Sequence, residues 1–266
     1  MPRFKLTIEY AGTRYSGWQI QKNARTVAGD IERAVRAATG VATFELYGAG
    51  RTDAGVHALA QTAHLQLDTR QEATTLLLRI NDELPADIHV LDLVRAPQRF
   101  HARHDAVARS YVYQISTRRS AFLKPYVWWV REDLDLARMR EAAALCVGMR
   151  DFRSFTADNP DDVSTTVKID AVDLAEHGPL LVVRVVGSHF LWRMVRRLVG
   201  VLVAVGRREL SVRDVARMFA EGSAVPAPLT APSSGLFLER VYYAGDRREH
   251  AVHPAVFAGA RIVDQP

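Results

Sequence analysis

Phe4-Lys5-Leu6-Thr7-Ile8-Glu9-Tyr10 alternates apolar with polar side chains, the two-residue period of a strand that buries one face. A turn-rich stretch from Ala11 to Gly17 follows, and Thr26 is placed to cap a helix. Val27, Ile31, Ala34, Val35 and Ala38 share one side of that helix, which ends near Gly40. A short strand at 43–47, a glycine-rich loop at 48–55 and an alternating strand at about 57–67 come next. A helix over 73–83 and a strand from Ile88 to Val94 complete the order β-α-β-β-α-β.

The same order recurs downstream. Ser110 to Ile115 alternates as a strand, and Leu134 to Val147 is an alanine-rich helical stretch. Val167 to Leu174 and Leu180 to Val186 form a strand pair around Glu176-His177-Gly178-Pro179. A long apolar helix is predicted over 189–205, Ser211 caps another over 212–221, and Leu236 to Tyr243 closes as a strand. The fold class expected is α+β, built from two ferredoxin-like halves. Their antiparallel sheets would lie side by side, with the open faces lining a catalytic cleft between them. Residues 1–105 form the first half, with the Asp53 loop, and 106–245 the second; 246–266 is a tail without a clear pattern. Units of this kind host many activities, so function must be read from side chains.

Of the 266 residues, 48 % are hydrophobic and 24 % charged, ordinary globular proportions with ample material for a core. The single cysteine, Cys146, excludes an internal disulfide and any multi-cysteine metal site, and suits a reducing cytoplasm. No apolar stretch approaches the ~20 residues that span a bilayer, and no secretory signal opens the chain, so a membrane partner is not expected. The formal net charge of +5 permits a polyanionic partner without establishing one.

Between two strands lies Gly48-Ala49-Gly50-Arg51-Thr52-Asp53-Ala54-Gly55-Val56-His57. It lacks the Lys-Ser/Thr of a phosphate-cradling loop and the third glycine of a dinucleotide-binding turn. What remains is an acid on a tight loop with an arginine two positions before it. The residues alone leave two readings open. Asp53 either ties down an Asp-Ala-Gly turn through nearby backbone amides, or is a carboxylate held ionised by guanidinium neighbours and aimed at an electrophilic carbon.

The loop resembles the signature segment of the TruA family of tRNA pseudouridine synthases, and further blocks support this along nearly the whole chain. They are Tyr10 to Gln21, Phe100 to Arg103 with Ala108 to Tyr113, Asp151 to Phe155, Phe190 to Arg196 with Val199-Gly200, and Ala231-Pro232 with Gly235-Leu236. The resemblance implies isomerisation of uridine to pseudouridine in the anticodon stem-loop of tRNAs, at tRNA positions 38–40. It casts Asp53 as the catalytic carboxylate and Tyr111 as the tyrosine that stacks on the target base and takes part in proton removal from C5. Arg51 and Arg196 become basic residues that hold the aspartate or the flipped nucleotide. It also implies a homodimer, tRNA as partner, and no metal or small-molecule cofactor. Trp192-Arg193 and Ser188-His189 depart from the family pattern, and so does Ala11, without touching the matched aspartate, tyrosine or Arg196.

Two competing classes remain. One is a non-catalytic RNA-binding protein with two RRM-like halves, whose diagnostic sequences are not visible. The other is a glycosidase, for which no paired acid stands out. His101 and His104 have metal-like spacing but no second ligand cluster, and Tyr126, Trp128 and Trp129 suit packing between the halves more than base stacking.

Overall fold

A computed structural model describes residues 1–248 and 251–257. The first strand is β1 (Arg3–Tyr10), with Phe4, Leu6 and Ile8 fully buried, as the alternation predicts. The helix α1 (Val27–Thr39) begins where Thr26 Oγ1 accepts the Gly29 N–H at 3.3 Å, and ends where the Gly40 N–H reaches Arg36 O. β2 (Glu45–Gly48), β3 (His57–Gln66), α2 (Ala73–Glu83) and β4 (Ile88–Ala96) follow. The second run is β5 (Ala108–Ser116), β6 (Trp128–Trp129), α3 (Leu136–Ala144), β7 (Gly148–Asp151), β8 (Thr166–His177) and β9 (Leu180–Gly187). It ends with α4 (Met194–Gly206), α5 (Val212–Glu221) and β10 (Leu236–Tyr242).

The fold is mixed α/β with one large, mostly antiparallel sheet in the order β4-β1-β3-β10-β5-β9-β8-β7. β2 also pairs with β3, and β6 with β5. In the first run β4 flanks β1 and β1 lies beside β3; in the second β10 flanks β5 and β5 lies beside β9. The expectation of two sheets side by side is corrected here. β10 pairs antiparallel with β5 and, through Phe237 and Leu238, parallel with the start of β3, so the two runs share one continuous sheet. The seam is fixed by chemistry as well as by pairing. His57, fully buried, stacks on Phe237 with centroids 4.6 Å apart. Its Nδ1 accepts the Gly12 N–H at 3.0 Å, which leaves Nε2 to donate to Pro125 O. Burial holds this imidazole below its ordinary pKa and so favours the neutral tautomer that both bonds require.

Several boundaries differ from those read in the sequence; β8, for example, runs on to His177. The helix expected over 134–147 is confined to α3, because Gly148 has φ 98° and the chain turns there into β7. The strand expected at 43–47 begins at Glu45. The helix expected over 189–205 starts only at Met194, after Arg193 in the left-handed region at φ 60°. Apolar residues continue through Phe190 and Leu191, so periodicity cannot see this break; the chain there loops outward instead of coiling. Of the expected tail, residues 246–248 and 251–257 are described; His177 Nε2 lies 2.9 Å from Val252 O and the Val256 N–H donates to Gln114 Oε1. The rest of the expected tail beyond 257, with 249 and 250, lies outside the described residues.

Every residue of α4 except Arg196 and Arg197 is buried, as befits a helix that is apolar nearly all round. The segment 229–231 crosses it so closely that a Cβ on Gly200 would sit 1.7 Å from Leu229 O. Gly200→Ala must therefore push that segment away. Overpacking of this kind costs ~1–3 kcal/mol. In a chain of this size that lowers the melting temperature by roughly 2–12 °C. A thermal melt unchanged from the parent would contradict the close approach.

Candidate active site

The loop between β2 and β3 is held from every side. Ala49 N–H donates to Thr62 O at 2.7 Å, Trp18 N–H to Thr52 O at 3.1 Å and Gly55 N–H to Tyr15 O at 3.2 Å. Gln61 Nε2 donates to Gly50 O, and the Tyr10 and Thr52 hydroxyls are 2.8 Å apart inside the core. Gly55, at φ 77°, supplies the left-handed turn that a side chain would resist. Asp53 is thus presented from a backbone with little freedom to move.

Its carboxylate caps no backbone amide among the described residues. Instead Oδ2 lies 3.5 Å from Arg196 Nη1, both side chains being largely shielded at 28 % and 17 % exposure. Arg196 enters from the first turn of α4 and is itself fixed. Its Nε donates to Ala231 O at 2.7 Å, and the Ala231 N–H donates back to Arg196 O at 3.0 Å. The close crossing at Gly200 is what puts Ala231 within reach.

Tyr111 comes from the middle of β5 and is buried, with its ring edge-on to Phe190 at 5.0 Å. Burial pushes its hydroxyl up to about 12, against a partial lowering by the Arg109 cation and with a further rise from the Asp53 charge. The phenol is therefore protonated at neutral pH. Asp53, Arg51, Tyr111 and Arg196 all line one cleft of about 1120 Å³. Its walls include Ala28 and Glu32 of α1 and the start of α4, with Leu236 and Leu238 of β10 beside Tyr111. The cleft thus opens between helices over the seam; it is not made of two open sheet faces.

Arg51 is exposed on the wall of this cleft, and among the described residues it makes no ion pair with Asp53. Of the two arginines expected around the aspartate, the structure brings only Arg196 into contact. A residue to which the sequence assigned no role is Arg109. Its guanidinium donates to the carbonyls of Ala49 at 3.1 Å, Arg103 at 2.9 Å, Ala106 at 3.2 Å and Ser188 at 2.9 Å. One side chain thereby ties the Asp53 loop to the segment that precedes β5 and to the end of β9. The available signal was an arginine two positions before Tyr111 on a strand otherwise fully buried.

Five arginines (51, 103, 109, 193 and 196) line the cleft against three carboxylates, Glu32, Asp53 and Asp158. Such an excess attracts phosphates. His101 and His104 lie with ring centroids 4.2 Å apart, and His101 Nδ1 accepts the Arg103 and His104 N–H groups in a local turn. Among the described residues no group of three or more His, Cys, Asp or Glu side chains is arranged to hold a metal. Tyr126 packs near His57 and Phe237, and Trp128 against Tyr113, away from the cleft. Among the described residues no helix is long and apolar enough to cross a membrane.

A protein-family profile described as "tRNA pseudouridine synthase" matches residues 6–105 and 142–244. A tRNA pseudouridine synthase A from Geobacter sp. (strain M21) is 41 % identical over 247 residues, covering 91 % of this chain and 99 % of that protein. One from Moorella thermoacetica is 38 % identical over 91 % of this chain and 100 % of its own length. Among solved structures, the archaeal box H/ACA sRNP Nop10-Cbf5 complex aligns with a TM-score of 0.35 and 12 % identity. That alignment covers 85 % of this chain and 60 % of the other.

Proposed function

The chain belongs to the tRNA pseudouridine synthase family, whose reaction isomerises uridine in tRNA, and we propose that Asp53 is the carboxylate that carries it here. The observation that supports this most directly is the Asp53–Arg196 pair at 3.5 Å, on a rigid loop facing a buried tyrosine inside an arginine-rich cleft. The reaction breaks N1–C1′, turns the uracil and joins C5 to C1′. The proton leaves C5 and one is gained at N1, so all other atoms are retained. An enzyme for it must take the uridine out of its stack, supply a carboxylate and hold the detached ring.

Arg196 aims the carboxylate and lies against it as its counter-ion in a partly shielded site. Attack at C1′, attack at C6 and abstraction of a ribose proton are all open to an oxygen so placed. Tyr111 offers a flat surface for the uracil at the floor of the cleft, and Arg51 is free to grip the flipped nucleotide. Because the Tyr111 phenol keeps its proton at neutral pH, any part of its oxygen in removing the C5 proton requires passing its own proton on. Tyr111→Phe is expected to keep RNA affinity and slow product formation about 10-fold to 100-fold. Single-turnover kinetics at a parental rate would remove the hydroxyl from the chemistry.

By the resemblance, the substrate site is the anticodon stem-loop, at tRNA positions 38–40, and the working form is a cytoplasmic homodimer. We also read the two strand orders as two ferredoxin-like units, 1–105 and 106–245, fused at the seam and followed by a tail from 246. The test of the function is tritium release from an unmodified tRNA transcript labelled at C5 of uracil. Release with an intact RNA chain supports the isomerase. Tight binding without release across a panel of tRNAs would leave an RNA-binding protein.

A further inference from the structure

The loop that leads into α4 carries a feature the chemistry above does not use. Trp192 is 49 % exposed, on the wall of the cleft and four residues before Arg196. What sets this ring apart from other exposed aromatics such as Phe122 is its place on the wall of the cleft that holds Asp53 and Arg196. The backbone that carries it is held on both sides. The Trp192 main-chain N–H donates to Asp158 Oδ2 at 2.8 Å, and its carbonyl accepts the Ala157 N–H at 3.0 Å. Asp158 is held in turn by the Thr156 hydroxyl, and Arg197 donates to Thr156 O. The next residue, Arg193, has φ 60°, a conformation that a non-glycine side chain keeps only where its surroundings impose it. The Arg193 guanidinium lies 4.9 Å over the indole, so a cation backs the ring while half of it faces the cleft.

We propose that Trp192 is a stacking platform for an RNA base that neighbours the flipped uridine, with Arg193 beside it for the adjoining phosphate. Extraction of a nucleotide leaves its neighbours without a stacking partner, and an indole fixed at the cleft wall replaces it. Every base has a π-face, so the platform tolerates any neighbour, and the discrimination of uridine stays with the inner site. The nearby arginine gives the positive field that the backbone needs on either side of the ring. This subsite rests on the proposed function, since it presumes a flipped nucleotide in the same cleft.

Tritium release from the tRNA transcript, with kcat and KM separated, is compared for the parent, Trp192→Ala and Trp192→Phe. Trp192→Ala is expected to raise KM roughly 10-fold to 100-fold with kcat changed less than about 3-fold, and Trp192→Phe to recover most of it. In an Asp53→Asn background, binding of the same transcript should quench tryptophan fluorescence, and the quench should shrink when Trp192 is replaced by Phe. Abasic substitution of the nucleotide on one side of the target uridine should weaken the parent and leave Trp192→Ala unaffected. A parental KM in Trp192→Ala with an unaltered quench would overturn the platform. A parent that turns over no tRNA, yet still shows the Trp192-dependent quench, would instead fail the isomerase reading and keep the base contact.

Discussion

Asp53→Asn is expected to release no measurable tritium from C5-labelled tRNA, a loss on the order of 10⁴-fold or more, while RNA affinity stays within a few-fold. The large loss follows because the amide has the carboxylate's shape but neither its nucleophilicity nor its basicity, and residues that act as a unit fail together. Every route open to Asp53 needs the anion. Affinity should hold because the loop does not depend on the carboxylate. Its anchors are the backbone bonds to Thr62, Trp18 and Tyr15 and the Tyr10–Thr52 hydroxyl pair, none of which uses the Asp53 side chain. Removing one negative charge from a cleft with five arginines cannot repel a polyanion, and a slight gain in binding would be consistent. Turnover at the parental rate would end the assignment of Asp53. Loss of turnover together with loss of binding and of thermal stability would mean that the residue serves the fold.

Arg196→Ala should cost about 10²-fold in kcat with a smaller effect on KM. The guanidinium spans two anchors, Ala231 O at 2.7 Å through Nε and Asp53 Oδ2 at 3.5 Å through Nη1. Removing it leaves a mostly shielded carboxylate without its counter-charge. Loss of about 2–3 kcal/mol of transition-state stabilisation, the size expected when a catalytic group loses its partner, corresponds to roughly 30–150-fold in rate. Arg196→Lys should recover only part, because an ammonium is a single point and cannot hold the Ala231 carbonyl and the carboxylate at once. Steady-state kinetics on the tRNA transcript decide the matter. A rise in KM with kcat unchanged would make Arg196 a contact for the RNA alone.

The local signals were strong wherever one residue type meets one geometric need. Alternation from Phe4 to Tyr10 set a strand, Thr26 and Ser211 set helix starts, and α2 falls on the predicted 73–83. The start of α4 was missed because apolar residues run through 190–191 into the helix, and hydrophobicity reports burial without reporting whether the chain is coiled. The short β6 and β7 escaped notice for a related reason, since two and four residues are too few to establish a period. Within the site, the acid loop stood out by its glycines and the resemblance pointed to Tyr111 and Arg196. Arg109 went unassigned because its work is done on backbone carbonyls, which leave no trace in side-chain spacing.

The sequence by itself determined the order and most boundaries of the longer elements, since these depend on neighbours along the chain, and its motifs pointed to the family and the residues worth testing. The tertiary structure decided how the two runs join. His57 meets Phe237, 180 residues away in sequence, and this pairing turns two expected sheets into one. It also decided which arginine reaches Asp53. Arg51 is near in sequence and points into open cleft, whereas Arg196 arrives from a distant helix because Gly200 lets the Ala231 segment lock it in place. The physical reason is the same in both cases. Distant contacts form only when the summed packing of the core brings them together, and no period or cap within the chain encodes that distance.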